Sequence, residues 1–320
     1  MEKGAPSQDW DSRVISLGGG VLQSRNWALF MQSQGSGVLH GSGDGWCALA
    51  AVRSKLGIRF LYVPYGPYAE SSEALDQAVI ALRLAALSEK CAFIRMEPTG
   101  EVTNEQMRNL GAREVSEFQP RRTAVLSLTE PEETLRGAIS QSNRNLINTA
   151  EKRGVTFVKG GINDLEMFLS LLHKTSARAG ITVYSDNYYR QLLSVFGEQA
   201  SLYFAEVEGQ VVAGAISLDF GNTRYYAHAA SDYDLNRRHK AAVPLLWHLV
   251  TEAKASGMTV FDFWGIAPND DPAHKKAGIT QLKLSFGSII LERIGTWELS
   301  ISPLAYFVYR SAKKLITRSS

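Results

Sequence analysis

The stretch 201-SLYFAEVEG-209, 210-QVVAGAISLDF-220 and 223-TRYYAHAAS-231 decides the architecture. It reads as a meander of three strands rich in β-branched and aromatic residues. Downstream, residues 240–256 (KAAVPLLWHLVTEAKAS) have the apolar spacing of a helix, 259–264 reads as a buried strand, and a helix is expected around 277–286. Upstream lie a long helix at 131–153, the strand 155-VTFVKG-160, and two helices near 163–179 and 186–197.

The same order occurs earlier in the chain. After a short helix at 23–32, residues 37–68 read as three strands broken by Gly-rich turns, and 71-SSEALDQAVIALRLAALSEK-90 as a helix with serines placed to cap it. A strand (91-CAFIRM-96), a helix near 103–111 and a strand within 118–128 follow. Two successive units of this kind imply a duplicated α+β domain with mixed sheets flanked by helices. Strand meander followed by helix, strand, helix and strand is the plan of the GNAT acyltransferase fold.

Composition sets bounds on function. A chain of 320 residues suits two domains, and 45% hydrophobic with 21% charged residues is ordinary for a globular protein. The net charge of +2 does not demand an anionic partner, so nucleic-acid contact has to rest on local patches. Cys47 and Cys91 make neither a disulfide framework nor a zinc cluster, and no metal or organic cofactor is implied. Residues 1–15 lack the apolar core of a signal peptide, and no window approaches a membrane span, which gives the expectation of a cytoplasmic protein. The segment 303-PLAYFVYRSAKKLITR-318 is amphipathic and basic. Two fates are open to it: packing its apolar stripe on the protein's own core, or peripheral contact with a membrane surface.

Three segments carry a family resemblance. The first is 119-QPRRTAVLSL-128 with 142-SNRNLINTAEKRGV-155, the second 241-AAVPLLWHLVTEAKASGMTVFDFWGI-266, and the third 278-GITQLKLSFGSIILERIGTWELSISPLAYFVY-309. In order and spacing they resemble the FemABX family, the dual-GNAT aminoacyltransferases that build peptide bridges on peptidoglycan precursors. The family's Phe-Lys pair reads Leu282–Lys283 here, its second glycine is Ser288, its strand-end acid is Glu97, and no cation follows Trp27. The resemblance implies two tandem GNAT-like domains without a coiled-coil arm. The expected division is 1–133 plus a returning strand and helix at 296–320, against 134–295. The implied reaction moves an amino acid from aminoacyl-tRNA to the side-chain amine of a peptidoglycan stem peptide, whether UDP-linked or lipid-linked.

Peptide-bond formation from an ester needs positive charge where the oxyanion develops. Lys283, set among Ile279, Leu282, Leu284 and Phe286, is the candidate. The alternative is a lysine that snorkels to solvent or pairs structurally with Asp262. Asp262, at the centre of 261-FDFWG-265, would orient Lys283 or the amine, or else cap the following turn. Glu97 would accept the amine's proton if burial raises its pKa, or is a plain surface glutamate. Arg178 in 175-TSARAG-180 matches a family arginine and would fork onto a phosphate, against a solvated helix arginine. Tyr225, Tyr226, Trp264 and Leu282 are candidate substrate contacts, with at most one of the two tyrosines expected to line the site.

The donor is read from 236-NRRHKAAVPLLW-247. Coenzyme A sites use R/Q-x-x-G-x-G/A, where glycine lets backbone amides approach the pyrophosphate. Counted from Arg237 or Arg238, that glycine is Lys240 or Ala241, and Pro244 removes an amide. A tRNA carrier fits better, with Arg237, Arg238, Lys240, Lys275 and Lys276 as candidate contacts, joined by Arg144, Lys152 and Arg153. Two other readings stay open: an acyl-CoA-dependent N-acyltransferase, and a scaffold that binds precursor or RNA without turnover.

Overall fold

The structure, a computed structural model, describes residues 1–180 and 182–319. The chain divides into two compact units, Met1–Arg121 with Arg293–Ser320, and Arg122–Glu292.

In the first unit the strands lie in the order Glu2–Lys3, Gly37–Gly43, Trp46–Lys55, Ile58–Val63, Phe93–Met96, Thr296–Ser300, Arg113–Val115. Ile58–Val63 pairs in parallel with Phe93–Met96, so a crossover must join them, and helix Ser72–Ser88 supplies it. The helix begins where Ser71 accepts a hydrogen bond from the Ala74 amide, and it buries Leu75, Val79, Leu82 and Ala86 against Leu61, Val63 and Ile94. Alternation sends Phe60, Tyr62 and Phe93 to the opposite face, where Tyr306 and Tyr309 of helix Pro303–Ser319 pack on them.

The second unit runs Val155–Gly160, Ala200–Val207, Gln210–Phe220, Thr223–Ser231, Val260–Gly265, Arg122–Ser127, Ile289–Glu292. Helix Ala242–Ala255 buries Leu245, Leu246, Leu249, Val250 and Ala253 in the core under this sheet. Between Val155–Gly160 and Ala200–Val207 the described residues form two ordinary helices, Leu165–Ala179 and Asp186–Phe196, rather than a long helical arm.

Three expectations need correction. The division at 133/134 moves to 121/122, because Arg122–Ser127 is hydrogen-bonded between Val260–Gly265 and Ile289–Glu292 in the second sheet. The matching place in the first sheet, between Phe93–Met96 and Arg113–Val115, is filled by Thr296–Ser300. Each sheet therefore takes one strand from a distant part of the chain. Secondly, the single helix expected at 131–153 is broken into Glu132–Ala138, Gln141–Asn148 and a short turn at Glu151–Arg153. Ile139 is extended and buried there, and the Ser140 amide donates to the Ser285 carbonyl. Thirdly, Arg113–Val115, Ile289–Glu292 and helix Tyr233–His239 were not foreseen.

Candidate active site

The strand Val260–Gly265 places Phe261 and Phe263 in the core and Asp262 on the opposite face. Beyond Asp262 the pairing slips: Asp262 faces Val125, yet Gly265 faces Thr123. This one-residue excess is a bulge, and within it Trp264 adopts a left-handed φ of 64°. An L-residue, and a bulky one, is strained there by about 1–2 kcal/mol. The Asp262 carboxylate offsets the strain by accepting the Trp264 amide at 2.7 Å. Trp264 in turn meets Tyr225 edge to face, with ring centroids 5.8 Å apart.

The same bulge turns the Gly265 carbonyl toward helix Ala277–Leu284, where it accepts a 2.7 Å hydrogen bond from Lys283 Nζ. Lys283 is only 6% exposed and Asp262 only 5%. Burial pushes the lysine pKa down to about 8, the Asp262 charge pulls it partly back, and Lys276 pushes it down again. A buried ammonium beside a carboxylate, titrating near pH 8, is a tunable positive charge, suited to a developing oxyanion.

The loop from Ile266 to Lys276 is held by groups the sequence reading passed over. Arg122, buried in its strand, donates to Asp270 at 2.8 Å, and its own carbonyl accepts the Ile266 amide. Thr280 Oγ1 accepts the Ala267 amide at 2.9 Å. An arginine inside the apolar run 121-RRTAVLSL-128 was the available signal. Such a cation stays in a sheet only with a partner.

Other candidates fall in several places within this unit. Tyr226 packs on the core, and burial raises its pKa well above the usual range, whereas its neighbour Tyr225 reaches Trp264. Leu282 packs against the core beside Lys283. Arg178 lies exposed with its guanidinium 4.1 Å from the centre of the Tyr233 ring. Arg237 and Arg238 are exposed near the end of helix Tyr233–His239, and Lys240 follows in a left-handed conformation at φ 53°. Lys275 is exposed and Lys276 half-buried on the loop. Arg153 is a structural residue instead, donating to the carbonyls of His239, Leu146 and Thr149. Arg144 is likewise committed to Gly137 and Gln141.

Glu97 belongs to the first unit and is not a surface glutamate. It is buried, and its two oxygens accept four hydrogen bonds, from Tyr62 Oη, the Tyr65 amide, the Gln119 amide and Thr296 Oγ1. Desolvation raises its pKa while those four donors restrain the rise. Two residues earlier, in the strand Phe93–Met96, Arg95 is paired with Glu298, itself bonded by Tyr306.

Comparison with known proteins fits this architecture. The model of the FemAB family matches residues 103–211 and 206–314. The lipid II:glycine glycyltransferase of Staphylococcus epidermidis is 20% identical, covering 83% of this chain and 82% of that protein. Its counterpart from Staphylococcus saprophyticus is 21% identical over the same shares. Among solved structures, FemX superposes with a TM-score of 0.85 at 20% identity, covering 96% of this chain and 99% of that one. A tandem GNAT protein from the clavulanic acid biosynthesis pathway gives 0.57 at 12% identity, with 94% and 99% covered. The fold is thus a tandem GNAT arrangement, and because the family model extends over most of the chain from residue 103 onward, the protein belongs to the FemAB family.

Proposed function

We propose that this protein is an aminoacyltransferase that moves an amino acid from aminoacyl-tRNA to the side-chain amine of a peptidoglycan precursor's stem peptide. The observation that carries the reading is Lys283, buried, anchored to the Gly265 carbonyl and set in the field of Asp262, within a chain of the FemAB family. The relatives named lipid II:glycine glycyltransferase support a precursor as acceptor. In the reaction the neutral amine attacks the ester carbonyl, a C–N bond forms, and the ester C–O bond breaks. The tRNA hydroxyl leaves with a proton. The Lys283 ammonium, with one of its three donors given to Gly265, would face the oxyanion or the carboxyl end of the donor.

The choice of carrier rests on the helix that would cradle a pyrophosphate in a coenzyme A enzyme. The Ala242 amide at its start already donates to Asn236 Oδ1 at 3.0 Å, and Lys240 and Ala241 stand where the glycine would be. This favours a carrier bound through exposed cations, with Arg237, Arg238, Lys240, Lys275 and Lys276 as the contacts to test and Arg178 reserved for a precursor phosphate. The test is incubation with mixed charged tRNAs and both UDP-linked and lipid-linked precursors, read by mass spectrometry. The expected result is a precursor heavier by one aminoacyl group. Acylation from acyl-CoA with no transfer from any tRNA would overturn the reading.

A further inference from the structure

The helix Pro303–Ser319 is anchored to the first sheet through Tyr306 and Tyr309. Tyr306 and Tyr309 pack against Phe93, with ring centroids 5.2 Å and 4.7 Å away. Tyr306 also donates to Glu298 at 2.8 Å, and Tyr309 accepts from Arg95 at 2.9 Å. These contacts fix the helix's rotation about its axis. The consequence is that Leu304 (77% exposed), Phe307 (67%), Val308 (51%) and Leu315 (69%) point away from the protein. Their spacing of i, i+3, i+4 and i+11 makes one continuous stripe, interrupted only by Ser311. A soluble surface rarely lines up four large apolar side chains in this way.

The charge on the helix indicates what covers the stripe. Residues 303–319 contain Arg310, Lys313, Lys314 and Arg318 and no acid. The chain's net +2 therefore includes +4 from this helix and leaves −2 for everything else. Arg310 and Lys314, both exposed, lie along one edge of the stripe. An apolar stripe bordered by cations is the surface that lies in the headgroup region of an anionic bilayer, with aliphatic and aromatic groups inserted and basic groups among the phosphates. No helix among the described residues is long and apolar enough to cross a membrane, so any such attachment through this helix is peripheral.

We infer that the outward face of helix Pro303–Ser319 docks the protein on the surface of an anionic phospholipid bilayer. The inference stands on this helix alone and does not depend on the reaction proposed above. Each basic residue near such a surface contributes roughly fivefold in partitioning.

The test is sedimentation of the full chain with vesicles of phosphatidylcholine alone or mixed with phosphatidylglycerol. Binding is expected to the anionic vesicles only and to weaken at high salt. Arg310→Glu with Lys314→Glu should weaken it by roughly 25-fold or more, and Phe307→Ser by roughly tenfold. Leu304→Gln is the second apolar variant, and unchanged unfolding midpoints show that these exposed positions leave the fold intact. No sedimentation with anionic vesicles, or equal sedimentation of wild type and variants, would overturn the inference. So would a dimer that Phe307→Ser converts to monomer without altering vesicle binding, since a second copy would then cover the stripe. Binding of tRNA, but not of vesicles, that depends on Arg310 and Lys314 would overturn it as well.

Discussion

Lys283→Met is the most informative perturbation, because it separates the stability of the site from its chemistry. The unfolded chain holds a proton on this lysine up to its ordinary pKa of 10.5, whereas the native state releases it above about 8. Between those values the unfolded state binds more protons, so native stability rises with pH across the window and this contribution is flat below about pH 7. The gap penalises the folded state by about 3 kcal/mol at pH 7, about 2 at pH 9 and about 1 at pH 10. Methionine removes the penalty and fills much the same volume. It also leaves the Gly265 carbonyl without the Nζ donor, which costs about 1–3 kcal/mol at every pH. At neutral pH the variant should therefore lie within about 2 kcal/mol of wild type, or above it.

The measurement is urea denaturation of both proteins from pH 7 to 10. Subtracting one from the other cancels every other titrating group. The stability difference, variant minus wild type, should fall by about 2 kcal/mol over that range. A difference that ignores pH would show that Lys283 titrates as a solvated lysine, and the argument for its tuned charge would fail. Aminoacyl transfer at saturating substrate should drop on the order of 100- to 1,000-fold in the same variant. Transfer near wild-type rate would place the reaction elsewhere. Lys283→Arg should restore only part of it, since a planar fork replaces a compact ammonium.

Three further outcomes follow from the same geometry. Asp262→Asn keeps an oxygen for the Trp264 amide but removes the charge that raises the Lys283 pKa, so the alkaline limb of the transfer profile should move acid by about one unit; an unmoved limb would separate the two residues electrostatically. Glu97→Gln turns an acceptor of four hydrogen bonds into a group that must present its own donor to some of them, and should destabilise by about 2–4 kcal/mol in chemical denaturation; lost transfer at undiminished stability would instead make Glu97 catalytic. A fragment of residues 1–121 lacks Thr296–Ser300, which pairs with both Phe93–Met96 and Arg113–Val115, so it should show no cooperative unfolding transition, whereas a sharp one would refute the need for the returning strand.

Much of the fold was legible because local signals and tertiary demands agree. Ser71 caps the first long helix, and Thr103 with Gln106 makes a reciprocal box at the next. The three-strand meanders also appear where their patterns put them. What escaped was of another kind. Ile289, Ile290 and Leu291 form an edge strand with no inside and outside to alternate between, so no period of two marks it. The break at Ile139 and Ser140 serves a tertiary bond to Ser285 that helix propensity does not register. Nor does anything in 122-RTAVLS-127 say which sheet it joins, because its pattern encodes a strand and not a partner. The candidate residues, taken unit by unit, were half legible for the same reason. Lys283 stood out as a cation among apolar neighbours, while the donors that bury Glu97 come from positions 62, 65, 119 and 296 and share no local pattern.

The two roles weighed for Asp262, capping the turn or orienting Lys283, are parts of one device. The bond to its amide helps hold Trp264 at φ 64°, and relaxing that residue would remove the bulge. Without the bulge the Gly265 carbonyl would stay in the ladder with the strand Arg122–Ser127 and would not reach Lys283 Nζ. The carboxylate that fixes this backbone also supplies the negative field that keeps a 6%-exposed lysine protonated near neutral pH. Capping and charge therefore cannot be divided by deleting the side chain: Asp262→Ala would lose both. Only the isosteric asparagine leaves the backbone in place while removing the field, which is why the pH profile of that variant, and not the size of its activity loss, reports what Asp262 contributes to the chemistry.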